Sequence, residues 1–298
     1  PGKGPTWIDG LMAVVDKEGR ERLFAKYVKV QPPLTIYERG LVEFDDRQQA
    51  FVKRTQFSIQ APLFPAGHPL RHRVAGIDYF YFPGPYPTVR VRARVDWLGD
   101  PSRYEAYSPF KPGSTAETFS LDRDEQGQLK YSWKRDTLPL TLRRQQELVK
   151  AGRMTTAEGL FRMRDAETNK PVAVHRGSVY FNAFRKRWIM IALETFGTSS
   201  LGEIWYSEAP NPEGPWRVGR KIVTHRKYSF YNPKHHPMFD SHGGRYILFE
   251  GTYTNMFSGN PDQTPRYDYN QVMYRLDLAD PRLKRAQDLA LSSDVPGR

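Results

Sequence analysis

The plainest pattern along the chain is an alternation of period two. In Thr88-Val89-Arg90-Val91-Arg92-Ala93-Arg94-Val95 three arginines fall on one side and apolar residues on the other, which predicts a strand with one face turned to a core. Residues 77–82, 188–193, 203–206 and 246–249 read as further strands, each bounded by Gly, Pro, Asn or Asp. The 24 prolines and 23 glycines are spread evenly, as many short strands separated by turns require. One stretch departs from this. Residues 141–151 read as a helix closed by Gly152, and Thr155 with Glu158 three residues on reads as a capping box opening a second short helix.

The strands recur in a repeat. Four stretches share one plan: an entry segment, an apolar strand, a charged glycine-containing turn, a second apolar strand and one or two outer strands. They start near positions 9, 68, 177 and 236, so the intervals are 59, 109 and 59. The long middle interval coincides with 111–172, where the helical pattern lies. The repeat predicts an all-β fold, a β-propeller of four-stranded antiparallel blades in a single domain over 1–298, with a helical hairpin inserted at about 136–166. A β-sandwich with coincidental spacing is the alternative.

Glu203-Ile204-Trp205-Tyr206-Ser207-Glu208-Ala209, followed by Pro212-Glu213-Gly214-Pro215-Trp216, resembles the blade signature of five-bladed propeller glycosidases of the arabinanase, xylosidase and fructosidase kind. Tyr231-Asn232-Pro233-Lys234-His235-His236-Pro237, Phe249 to Thr254 and Arg266 to Gln271 look like a group of uncharacterised exported bacterial proteins related to that clan. The resemblance implies five blades, so one lies in 111–172 or precedes Pro1. Pro1 in place of Met reads as the start of a processed or excised piece. A secreted or periplasmic location is expected on the same resemblance.

Composition narrows the chemistry. The 298 residues contain no cysteine, which excludes disulfides, thiolate metal sites and a cysteine nucleophile. No apolar run approaches the roughly 20 residues that a membrane-spanning helix needs. The net charge of +12 calls for an anionic partner. No nucleic-acid module is recognisable, so the charge is assigned to a polysaccharide, an anionic one by preference, and nucleic acid is not expected. Phosphate loops, nucleophile elbows and dinucleotide fingerprints are absent from the sequence.

In a propeller the first strand of each blade lines the central channel. Asp9, His68, His175 and His235 or His236 share that phase, and polar side chains facing a channel mark a candidate site. Glycoside hydrolysis needs two carboxylates, and the resemblance implies Asp9 as base, with Glu194, Glu203 or Glu250 as acid. Departing from the family pattern, Asp9 is followed by Gly10 rather than Pro. A lyase acting on an acidic glycan is the alternative, with His235, His236 and Tyr231 as proton-transfer groups and Arg226 and Asn232 on the substrate carboxylate. A non-catalytic glycan-binding propeller is the third reading. Tyr253, Tyr267, Tyr269, Phe257 and Trp7 are candidates for stacking on sugar rings. No cofactor is required by either chemistry, and calcium at the propeller axis is the minor option.

Overall fold

The computed structural model describes residues 2–197, 201–225, 227–256 and 258–292. Two compact units divide the chain: Pro1–Pro83 with Pro87–Thr141, and Gly84–Tyr86 with Leu142–Arg298.

The first unit holds two antiparallel meanders. One runs β1 (Thr6–Val15), β2 (Glu21–Gln31), β3 (Thr35–Asp45) and β4 (Ala50–Phe57), paired in chain order. Its first turn is fixed by Asp16, whose Oδ1 accepts from the backbone N–H of Glu18 at 3.0 Å and of Arg20 at 2.9 Å. The other runs β5 (Leu70–Val74), β6 (Ile77–Pro83), β7 (Pro87–Arg92), β8 (Glu105–Ser108) and β9 (Ser132–Lys134), with a short helix α1 (Val95–Leu98) between β7 and β8. Met12, Phe24, Leu41, Phe80, Val91 and Tyr104 are among the buried side chains that join these two sheets into one core. Most come from strands whose alternation turns one face inward.

The arginine-rich strand is shorter than its pattern predicts and its arginines are not a solvated stripe. β7 ends at Arg92, and Arg94 caps α1 and pairs with Asp96 at 3.0 Å. Arg90 lies 4.2 Å from the ring centroids of both Tyr79 and Trp133 and holds Glu105 at 2.7 Å. Arg92 lies 4.5 Å from the ring of Trp97. A planar guanidinium stacks on aromatic faces where an ammonium would not, so part of the basic charge is spent inside the fold.

In the second unit, α2 (Leu142–Lys150) is followed by a five-stranded sheet. In spatial order this is β10 (Arg164–Asp165), β14 (Val218–Val223), β13 (Leu201–Ala209), β12 (Arg187–Thr195) and β11 (Val174–Asn182). β10 joins the edge of β14 in parallel, and the other neighbours are antiparallel. A three-stranded meander follows, β15 (Ser229–His235), β16 (Tyr246–Thr254) and β17 (Tyr269–Asp277), and α3 (Lys284–Ser292) comes after it. β12 and β13, central in the sheet, are buried along nearly their whole length. β17, at an edge, alternates exposed and half-buried residues. Ile189, Ile191, Ile204, Phe230, Ile247 and Phe249 are central to the core of this unit.

The fold is all-β in its main elements, and each sheet is built on an up-and-down meander of the kind a propeller blade contains, with β10 added in parallel to one of them. Five blades were expected, but the described residues form four sheets, of four, five, five and three strands. The stretch 111–172 contributes no separate sheet: it supplies only β9 and β10 to sheets already counted. The predicted helical hairpin reduces to α2 and a single 3₁₀ turn, Thr156–Glu158. Its capping box is present, with the Thr155 backbone N–H donating to Glu158 Oε2 at 2.7 Å. Gly159 follows in extended conformation and ends the turn before it can become a helix.

Candidate active site

The charged face at one end of β12, β13 and β14 follows from strand pairing. Leu193 pairs with Ile204 and Ala192 with Trp205, after which the register shifts, so Glu194 and Glu203 emerge side by side from the two strands. Trp205 pairs in turn with Lys221. Period-two alternation and direct cross-strand pairing therefore put Glu194, Glu203, Trp205 and Lys221 on one face. Trp205 Nε1–H donates to Glu194 Oε2 at 2.8 Å, and Lys221 Nζ lies 3.2 Å from Glu203 Oε1. Glu203 is buried, whereas Glu194 is half-buried.

The two carboxyl groups come together beside Gly197. Burial first, then the Glu203 charge and hydrogen bond, push the Glu194 carboxyl up to about 7, against the Trp205 bond and the Lys221 charge, which favour ionisation. A like charge so near disfavours the ionised form of Glu194. Gly197 closes over the pair. A Cβ there would lie 1.8 Å from Glu203 Oε2 and 3.0 Å from Glu194 Oε2, so only glycine lets the backbone pass.

The imidazoles divide by burial. His235 ends β15 and is fully buried. Its Nε2 is 2.8 Å from Asp240 Oδ1, its ring meets Tyr180 edge-on, and its backbone N–H donates to Ser178 Oγ at 2.8 Å, tying β15 to β11. These contacts seal the ring from solvent in this structure. His236 is the next residue, with Nε2 3.2 Å from Glu250 Oε1. His175, on β11, is half-buried, and burial followed by the nearby Arg176 charge lowers its pKa.

The remaining candidates scatter. Asp9 on β1 pairs with Lys26 Nζ at 2.8 Å. Gly10 beside it packs on the backbone of Gly67, bringing the β1 strand against the segment that carries His68. The Tyr253 ring meets His225 edge-on and Tyr228 at a tilt, ring centroids 5.6 and 4.8 Å away. Tyr231 is half-buried next to Asn232, an exposed residue at φ 49°. Trp7, Tyr267 and Tyr269 are exposed. Arg226 and Phe257 lie outside the described residues. No three His, Asp or Glu side chains gather as a metal-ligand set among the described residues.

Sequence reasoning named Glu203 only as a rival to Glu194 and did not pair them. The hairpin itself carries the signal: two apolar strands joined through Thr195-Phe196-Gly197, each with a single glutamate at its inner end. Trp205 and Lys221 follow once that register is drawn.

No family model and no curated protein sequence matches this chain. Among solved structures it is similar to an exo-β-1,3-galactanase from Phanerochaete chrysosporium (TM-score 0.44, 8% identity, 92% of this chain and 47% of that one). It is also similar to an endo-1,5-α-L-arabinanase from Thermotoga petrophila RKU-1 (TM-score 0.41, 9% identity, 90% and 56%). A third is the GH43_1 enzyme from Xanthomonas citri (TM-score 0.36, 11% identity, 91% and 87%). The chain thus spans about half the length of the first two. Likenesses this distant assign no reaction, and the chemistry has to come from the residues.

Proposed function

We propose that this chain is a carbohydrate-active hydrolase in which the Glu194–Glu203 pair supplies the proton to the departing sugar oxygen. One arrangement carries the reading: Glu194 and Glu203 emerge side by side next to Trp205 and Lys221, where burial and the Glu203 charge push the Glu194 carboxyl up to about 7. Glycosidic bonds leave poorly as alkoxides, so the reaction needs an acid that is protonated at working pH yet strong enough to give the proton up. Trp205 fixes one oxygen of Glu194, and Lys221 Nζ, 3.2 Å from Glu203 Oε1, holds Glu203 beside it.

Glu194 and Glu203 are too close to be the two carboxylates that flank a scissile bond, which stand roughly 5 to 9.5 Å apart. Within the unit that carries Glu194, the candidate for the second carboxylate is Glu250 on β16. The net charge of +12 favours an acidic glycan as substrate. The test is release of new reducing ends from a panel of neutral and acidic polysaccharides. Glu194→Gln is expected to abolish it, and Glu250→Gln to do the same. An unsaturated, ultraviolet-absorbing product would establish a lyase instead, and retention without cleavage a glycan-binding module. Either result defeats the proposal.

A further inference from the structure

Immediately beyond Glu194, β12 ends in Thr195, Phe196 and Gly197. Phe196 is 82% exposed, the most exposed of the large apolar side chains described. It also sits at φ +61°. Left-handed backbone is uncommon for any residue with a Cβ, and for a bulky aromatic it is an outlier that the surroundings must enforce. Burial does not account for this residue, and neither does backbone preference.

The enforcement is visible on both sides. Thr195 N–H donates to Ala173 O at 2.9 Å, and Thr195 pairs with Leu201. Gly197 is pressed onto Glu203 and Glu194 so closely that no Cβ fits. The chain leaves a fixed strand and must pass over the carboxyl pair one residue later, and the left-handed turn at Phe196 makes that passage. Glycine would make the same turn without strain. The sequence places there a rigid, flat, apolar side chain, two residues from the proton-holding group and directed to solvent.

From this juxtaposition we infer that Phe196 is a binding platform for a sugar ring, setting which residue of a glycan chain stands at Glu194. The inference rests on the hydrolase reading for the role of Glu194, but not for the binding itself. Pyranose and furanose rings present a face of C–H groups that packs on an aromatic ring, and the contact is lost with the ring. A platform on a strained, tightly anchored turn is preorganised, so little conformational entropy is lost when a chain settles on it. Phe196 touches substrate but moves no proton, so it is a specificity and positioning residue.

The experiment uses the full chain and measures retention in native gels cast with each of a panel of soluble neutral and acidic polysaccharides, with cleavage read in parallel. Glu194→Gln serves as the background for retention, so that cleavage does not erode the matrix. Phe196→Ala is expected to weaken retention about three- to tenfold and to raise KM by a similar factor with kcat little changed. Phe196→Trp is expected to retain binding. Phe196→Gly separates function from structure: it should lose binding like the alanine variant while its melting temperature rises, because the left-handed residue is relieved.

Unchanged retention in Phe196→Ala would overturn the platform and leave the hydrolase standing. Retention that depends on Phe196 without cleavage by the native chain would overturn the hydrolase and leave the platform standing. A native chain that binds no polysaccharide, or a Phe196→Ala change confined to self-association in light scattering, would also overturn the platform.

Discussion

Removing the charge of Glu203 while keeping its shape should move the pH at which Glu194 gives up its proton. Glu194 stands at about 7, against 4.5 for an ordinary glutamate. Burial is the largest cause of the rise, and Glu203→Gln leaves burial intact. The substitution removes the next two raising contributions, the Glu203 charge and its hydrogen bond. The amide N–H₂ can in addition donate to an ionised Glu194, which favours the charged form. All these changes lower the pKa, and about one pH unit of movement is a reasonable size for the loss of one adjacent charge. A general acid works while protonated, so the limb that moves is the alkaline one. At pH 7 the protonated fraction would fall about fivefold, while the rate at pH 5 would change little. The assay is the pH dependence of reducing-end release, checked by NMR titration of the Glu194 carboxyl, which needs no turnover. An alkaline limb that stays in place, or moves upward, would refute the coupling of the pair. The same linkage bears on stability. The folded chain binds this proton more tightly than the unfolded chain. Its stabilising contribution is therefore fully present below pH 4.5 and lost as pH rises through about 7.

Other expected outcomes follow from contacts described above and nearby. Gly197→Ala places a Cβ within 1.8 Å of Glu203 Oε2, so activity should fall by at least about tenfold while circular dichroism stays native, since the turn is at the sheet's end. Gly177→Ala puts a Cβ 2.1 Å from Ile191 O between β11 and β12, and a loss of about 2–4 kcal/mol in urea unfolding is expected. Arg90→Ala removes the stack between Tyr79 and Trp133 and leaves Glu105 with Arg135 at 3.7 Å, for about 1–3 kcal/mol in the same measurement. The hydrogen bond from Lys53, then that from Tyr27, hold the Glu38 carboxyl down at about 2. Its contribution to stability is present above pH 4.5 and is lost as pH falls towards about 2, so Glu38→Gln should flatten the acid side of a thermal-stability profile.

How legible this was depended on range along the chain. Strand existence was local: alternation and turn residues located β6, β12, β13 and β16 without help from anything distant. Asp9 and His235 lie on the opening strands of their sheets, His175 on the edge strand β11 and His68 just before β5. The count of sheets was not legible, because a spacing excess says nothing about whether the extra residues form a separate sheet or, as here, extend existing ones through β9 and β10. The burial of the imidazoles was hidden for a related reason. A histidine at a strand end has the same local pattern whether it faces solvent or, like His235, is sealed against Asp240 and Tyr180. Burial is set by elements far away in sequence. The pairing of Glu194 with Glu203 lay between these cases, fixed by one hairpin register that the apolar runs on either side already constrained.

The two-residue strand β10 has a consequence out of proportion to its length. Without it, β14 would present a free row of N–H and C=O groups, the template on which chains add to one another. Arg164 N–H donates to Arg217 O and Ala166 N–H to Gly219 O, each at 2.9 Å, and these bonds occupy that row. The segment from α2 to β10 thus acts as a guard on the sheet's margin. A protease cut in the exposed turn after α2 would free the guard while leaving the sheet intact. We predict that such nicked protein polymerises through β14, with rising light scattering and thioflavin fluorescence, and stable monomer after nicking would refute this.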